Sequence, residues 1–394
     1  MSLERNIRLM YIINFLKNLT FFGAISIPFF LGWGGLNYTQ IFLLQAWFMF
    51  WMFFFEIPTG LVADKLGRKT SIILSGILTS LGFLIYGSIR DFRFFLLAEF
   101  LIAIGFTLIS GADSALIYDT LKQKKKSGES KKIFANYQIA GTLGIIIAFP
   151  AGSLIAGTVN IPYPDNLAFV MLLTAFPLFT YAIISFLLEE PKRTRPSETY
   201  FETAKNGLKY LAKHKHLRPL ALNFVLISTT LFFMYWFYQP LLGSAGVDIT
   251  YYGFVAAAYN ILAVLLISKT ALWEKIFGTR NVLYITAFVP GILYIILGFT
   301  KMFFITILGI LLITSLRGLR EPLFSHYMNY YIKSNDRATV LSSINMLQRL
   351  LTMVLYVPIG MLTDISLNYT LIFLGLLTLV FGFLSRVEEE SLKE

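Results

Sequence analysis

Seven ionisable side chains stand out inside the apolar stretches of this chain as candidates for mechanism: Glu56, Glu99, Asp113, Arg317, Arg320, Glu321 and Arg349. In hydrocarbon each costs on the order of 2.5 to 3.5 kcal/mol unless it is paired or wetted by a cavity. Each therefore marks an internal ion pair or a place where a proton or solute is handled. Carboxyls suit proton exchange, because low dielectric favours the neutral acid and a nearby cation favours the anion. Glu99 and Asp113 are the expected proton or cation sites, while Glu56 lies one turn before a charged hairpin. Arg317, Arg320 and Glu321 are three to four residues apart, so they are expected to share a helix face and form an internal pair. Those two arginines with Arg349 also suit an organic anion. Polar and aromatic residues in the same stretches supply a cavity lining: Asn14, Lys17 and Asn18; Tyr137 and Gln138; Tyr235, Trp236 and Gln239; Asn345 and Gln348.

The elements that must carry these residues are membrane helices. Hydrophobic residues make up 56% of the 394, charged ones only 14%, and Phe occurs 38 times, a mixture outside the soluble range. Twelve apolar stretches are each long enough to cross hydrocarbon as a helix of about 20 residues. They run over 9–33, 38–62, 71–89, 94–119, 133–157, 166–188, 218–242, 250–268, 281–299, 303–331, 338–363 and 368–385. The first is too long and too polar to be a cleaved signal and is expected to remain. The chain has no Cys, which excludes disulfides and thiolate metal sites, and its three His are scattered, so no metal is expected. No Ser/His/Asp order and no nucleotide loop is present. An enzyme is not expected, nor a cofactor.

Charge orients the helices. Of 33 Lys and Arg, 26 fall in alternate loops and the termini on one side, against Arg90, Arg93 and Lys301 on the other. By the positive-inside rule both termini are expected in the cytosol of a cell-membrane protein. The +11 net charge then reflects topology and contact with anionic lipid, and no nucleic acid is expected as partner. Residues 189–217 divide the chain into an N-terminal six-helix bundle, 1–188, and a C-terminal one, 218–394. The divider carries Pro191 and Pro196, then Phe201, Ala204, Leu208 and Leu211 on one helical face with Lys205, Lys209 and Lys213 elsewhere. It is predicted to be an amphipathic helix at the cytoplasmic interface. A shift of 207 to 212 residues aligns Asn14-Phe15 with Asn223-Phe224, Pro28 with Pro240, Gly67 with Gly278, Gly111 with Gly318, and Pro150-x-Gly152 with Pro358-x-Gly360. Asp113 then falls opposite Arg320, and Asp119 opposite His326.

Between the second and third stretches, Gly60-Leu61-Val62-Ala63-Asp64-Lys65-Leu66-Gly67-Arg68-Lys69 resembles the G-x-x-x-D-x-x-G-R-K signature of the major facilitator superfamily of secondary transporters. Chemically, Gly60 would let helix ends approach, Gly67 would permit a positive-φ turn, and Arg68 and Lys69 would hold the hairpin in the cytosol. The second copy, Trp273 to Arg280, keeps only Gly278 and a nearby Arg. The resemblance implies an all-α membrane fold of twelve helices in two pseudo-symmetric bundles. It also implies alternating access, with Glu56, Gly60, Asp64, Gly67, Arg68, Lys69 and Asp119 forming a cytoplasmic latch. Where proton-linked members carry Arg in the fourth helix, this chain has Glu99. Similarity to prokaryotic drug-efflux members implies proton-coupled efflux of amphipathic or drug-like compounds by a monomer. The alternative is an importer or exchanger of organic anions, and a weaker one is a non-transporting membrane enzyme or receptor.

Overall fold

The computed structural model describes residues 2–191, 200–333 and 336–387. The described residues form helices α1 Ser2–Lys17, α2 Tyr38–Leu66, α3 Arg68–Ser88, α4 Phe92–Ile109, α5 Ala112–Gln123, α6 Ser130–Thr158, α7 Asp165–Ser185 and α8 Tyr200–Lys213. They continue as α9 Leu217–Phe232, α10 Met234–Ser244, α11 Tyr252–Ser268, α12 Thr270–Phe277, α13 Thr279–Phe299, α14 Phe303–Tyr331, α15 Arg337–Ile365 and α16 Leu367–Leu384. Among these residues, 11 spans are long and apolar enough to cross a membrane, and a bent pair brings the total to 12. The protein is an all-helical, multi-pass membrane protein, because only closed backbone hydrogen bonding is tolerated in lipid.

The first span departs from the expected single helix. Arg5–Ala24 and Ser26–Trp33 meet at 60°, with a short 3-10 turn at Phe21–Ala24 and Pro28 just after the bend. Proline donates no backbone hydrogen bond, so it sits at low cost in the first turn after a helix restarts. The fourth span is also interrupted: α4 ends at Ile109, and Gly111 takes a left-handed φ of 75° before α5 begins. Glycine accepts that conformation without the clash a Cβ would bring.

By Cα proximity the chain divides into two compact units, one of Met1–Asn37, Leu43–Ser197 and Ile249–Ala257, the other of Tyr38–Phe42, Glu198–Asp248 and Ala258–Glu394. In the first unit, α3 packs on α4 through small residues: a Cβ on Gly82 would lie 2.4 Å from Ile102, and one on Gly105 3.0 Å from the Ser75 carbonyl. In the second, α13 meets α16 so closely that a Cβ on Gly375 would lie 2.6 Å from the Gly291 carbonyl. Lipid tails are as apolar as Leu, so close packing of this kind supplies the association that the hydrophobic effect cannot.

The dividing segment forms α8, and this helix is docked against protein in the second unit. Leu211 belongs to a core with Leu217, Leu220, Val340 and Ile344. A Cβ on Gly207 would lie 2.7 Å from the Thr339 carbonyl of α15, and the Tyr210 hydroxyl donates to the Tyr331 carbonyl at 3.0 Å. Lys209 and Lys213 point outward as the pattern predicts. Pro196 and the side chains of Phe201, Ala204 and Lys205 lie outside the described residues.

Candidate functional site

In the first unit one polar cluster forms around Asp113. The break at Gly111 makes Asp113 a first-turn residue of α5, where the free N–H groups of a helix start favour an anion. Its Oδ1 accepts from the Ser114 backbone N–H at 2.6 Å and the Ser114 hydroxyl at 3.2 Å. Its Oδ2 accepts from the Tyr137 hydroxyl at 2.6 Å and faces Lys17 Nζ at 3.6 Å. The Lys17 side chain is 23% exposed and that of Asp113 13%, so the pair is largely but not wholly withdrawn from solvent. Lys17 also lies 6.0 Å from the centre of the Tyr137 ring. Three spans thus meet at one carboxyl oxygen.

Helices α1 and α6 are held together to make this possible. Asn14 Nδ2 donates to the Tyr137 carbonyl at 2.7 Å, and Asn18 Nδ2 donates to the Asn14 carbonyl at 2.8 Å. A Cβ on Gly144 would sit 2.6 Å from the Phe15 carbonyl, so this contact requires glycine. Asn14, Lys17, Asn18, Tyr137 and Asp113, placed in separate groups by sequence, are one cluster. Gln138, one residue beyond Tyr137, points away and is exposed.

Glu99 forms a second, separate cluster. Its Oε1 accepts from the Tyr86 hydroxyl at 2.6 Å and from Gln45 Nε2 at 3.1 Å, tying α4 to α3 and α2. Only 6% of Glu99 is exposed, and Tyr86 packs edge-on or tilted against Phe29, Phe30 and Phe95. Neither Tyr86 nor Gln45 was singled out in the sequence. Gln45 could have been, as a lone amide in an apolar run.

The hairpin after α2 has the backbone its glycine predicts, with Gly67 at φ 108°. Arg68 Nη1 donates to the carboxylate of Asp119 on α5 and to the Ala115 carbonyl at 2.6 Å. Glu190, beyond α7, accepts from the backbone N–H groups of Arg68 at 2.9 Å and Lys69 at 2.8 Å, capping α3. Lys69 Nζ donates to the Phe186 carbonyl at 2.7 Å. Asp64 is exposed, and Glu56 accepts from the Ser110 hydroxyl at 3.0 Å beside the break in the fourth span. Gly60 corrects an expectation: a Cβ there would meet nothing within 4 Å, so no close approach depends on it. The degenerate copy keeps the turn, with Gly278 at φ 79°, but exchanges the roles. There the hairpin residue Glu274 accepts from the hydroxyl of Tyr327 on α14, so the acid lies on the hairpin.

In the second unit, among the described residues, Arg317, Arg320 and Glu321, expected to pair, form no ion pair within 4 Å, and Glu321 acts on Arg317 only from a distance. Arg320 is 0% exposed and donates to Asn223 Oδ1 at 2.7 Å, the Asn223 carbonyl at 3.1 Å, Thr286 Oγ1 at 2.9 Å and Ser228 Oγ at 3.4 Å. Its plane lies 4.6 Å from the Phe324 ring. Neutral dipoles of α9 and α13 therefore solvate this cation, and Glu321, one position on, turns outward and is exposed. Arg317 is half-buried over the Phe232 ring at 5.0 Å. Arg349 and Asn345 on α15 are exposed, and Gln348 is half-buried. The expected lining from α10 is also revised. Trp236 is buried and bonds the Tyr356 hydroxyl at 3.3 Å, and Gln239 is 0% exposed with Nε2 on the Tyr238 hydroxyl at 3.2 Å. Of that set only Tyr235 is half-open.

Broken helices and internal charge clusters within membrane spans are the architecture of a membrane solute transporter. Residues 8–356 match the family model of the Major Facilitator Superfamily, and the chain belongs to that family. It is 28% identical over 188 residues to a glucose/galactose transporter of Brucella abortus biovar 1 (strain 9-941), an alignment covering 45% of this chain and 44% of that protein. The chain thus matches under half the length of that curated relative. It is 25% identical over 243 residues, 61% of this chain and 59% of the other, to the uncharacterized MFS-type transporter YxaM of Bacillus subtilis (strain 168). Among solved structures it shares its fold with the nucleoside transporter NupG, at TM-score 0.78, 14% identity and coverage of 100% of both chains. A bacterial homolog of the human lysosomal transporter Spinster, inward-facing and occupied, gives 0.76 at 15% identity and coverage of 98% and 97%.

Proposed function

We propose that this protein is a proton-coupled secondary transporter of a small polar organic solute. It works by alternating access in the cell membrane, with both termini and residues 189–217 in the cytosol and the six-helix halves 1–188 and 218–394 as its moving parts. The observation that carries this reading is the Lys17–Asp113–Tyr137 cluster at the interrupted fourth span. A carboxylate sharing one oxygen between a lysine and a phenol can release the lysine when it takes a proton, which changes what α1 is tied to. Glu99 serves as a second acid, held by neutral donors. The Arg68–Asp119 pair and the Glu190 cap latch the hairpin in one state of the cycle. The likeness to a glucose/galactose transporter supports a polar solute over the amphipathic compounds that a drug-efflux resemblance implies.

The test is transport by purified protein in proteoliposomes under an imposed pH gradient, across neutral, acidic and cationic solutes. Solute accumulation or depletion that collapses with a protonophore supports the reading, and its direction separates uptake from efflux. Accumulation indifferent to the gradient would refute proton coupling.

A further inference from the structure

Arg317 and Arg320 lie one turn apart on α14, yet their surroundings are opposite. Arg320 is sealed and its N–H groups are taken by Asn223, Thr286 and Ser228. Arg317, among the described residues, makes no hydrogen bond and no ion pair within 4 Å; it lies over the Phe232 ring, and Glu321, one turn on, acts on it only from a distance. A guanidinium carries five N–H donors and no acceptor, and in a membrane span leaving them unmet is expensive. Its nitrogens are not closed off by protein, because the residue is half-buried and not sealed.

Two phenols lie within electrostatic reach of Arg317, Tyr235 half-buried and Tyr259 8% exposed. Tyr235 on α10 stacks on Phe232 at 6.1 Å, and Tyr259 on α11 is positioned by its carbonyl, which accepts from Ser315 at 3.0 Å. Among the described residues neither hydroxyl has a hydrogen-bond partner. Their neighbours differ: Tyr294 donates to the Thr230 carbonyl at 3.1 Å, and Tyr356 accepts from Trp236. The cluster therefore offers a planar cationic fork and two O–H donors, walled by aromatic faces.

We infer that Arg317, with Tyr235 and Tyr259, is the recognition site for a carboxylate on the transported solute. The acceptor-only, planar carboxylate matches the fork, whereas a neutral solute brings no charge to it and a cation is repelled. This deepens the transporter reading above and rests on it.

The test uses the full chain in proteoliposomes and matched pairs differing in one charge: gluconate and glucose, lactate and lactamide, nicotinate and nicotinamide, benzoate and benzamide. The acids are expected to be transported in preference to their partners. Arg317→Gln is expected to raise KM for the preferred acid by roughly 10- to 100-fold while narrowing the acid-to-neutral ratio. Should Arg317→Gln fold poorly, Tyr235→Phe with Tyr259→Phe removes only two oxygens and is expected to raise the same KM with little change in kcat. Transport of the neutral partners alone, or a ratio unchanged in both variants, would overturn this assignment and leave the transporter reading standing. A folded wild-type protein that moves neither acids nor neutral partners overturns both.

Discussion

Replacing Asp113 by Asn isolates the charge that the coupling reading requires. At 3.6 Å from Lys17 Nζ, the carboxylate gains about 4 to 5 kcal/mol of Coulombic attraction at an effective dielectric near 20. Most of this is offset by the cost of withdrawing both ions from water. The 2.6 Å bond from Tyr137 falls from a charge-assisted value of about 1.5 to 3 kcal/mol to a neutral one near 1 kcal/mol. Asparagine is isosteric and still accepts from Tyr137 or Ser114, so the net loss of stability should be only about 1 to 3 kcal/mol, and the variant should fold. Function should change far more. One pH unit is worth about 1.4 kcal/mol per proton, which concentrates a solute about tenfold if one proton is coupled. Asp113→Asn mimics the protonated acid permanently, so gradient-driven accumulation should fall to equilibrium while solute counterflow continues. Lys17→Met combined with Asp113→Asn should recover part of the lost thermal stability, because it removes the lysine left without its anion. Full gradient-driven accumulation by Asp113→Asn would refute the reasoning and reduce the cluster to a packing device.

Three further outcomes are expected. Arg68→Ala breaks the Asp119 pair and the Ala115 contact, and Glu190→Gln weakens the α3 cap by up to about 1 kcal/mol, so both should slow transport with the protein still inserted; normal rates in both would leave the hairpin a topology signal only. Arg320→Ala strands Asn223 and Thr286 in a sealed site and should destabilise the protein by about 3 kcal/mol or more, read as a fall in melting temperature without any change in acid preference. Cysteines placed singly at Gly128 and Lys213, both exposed, have no background thiol and should be protected from an impermeant reagent in intact cells; labelling of either would invert the topology.

Span number and extent were legible because a membrane helix is specified locally: about 20 apolar residues suffice whatever they later touch. Bends were less so, and the two that matter have different signals. Pro28 hinted at the first, whereas Gly111 gave no more warning than Gly318, its repeat partner, which lies inside the unbroken 29-residue α14. A glycine permits a left-handed turn without requiring one. The charged residues were conspicuous for the same local reason, since each is costly wherever it points, but cost does not name a partner. Glu190, Gln45, Tyr86 and Asn223 are polar groups brought to Arg68, Glu99 and Arg320 from other helices or segments, and only packing decides such meetings. Helical spacing misled for Arg320 and Glu321, because adjacent positions differ by about 100° around a helix: one turned into α9 and α13 and the other outward. The same geometry left Arg317 facing Phe232 and away from the dipoles that neutralise its neighbour. A cation that the fold solvates fully serves the fold, and one whose N–H groups meet no acceptor among the described residues is the one on which the proposed carboxylate site rests.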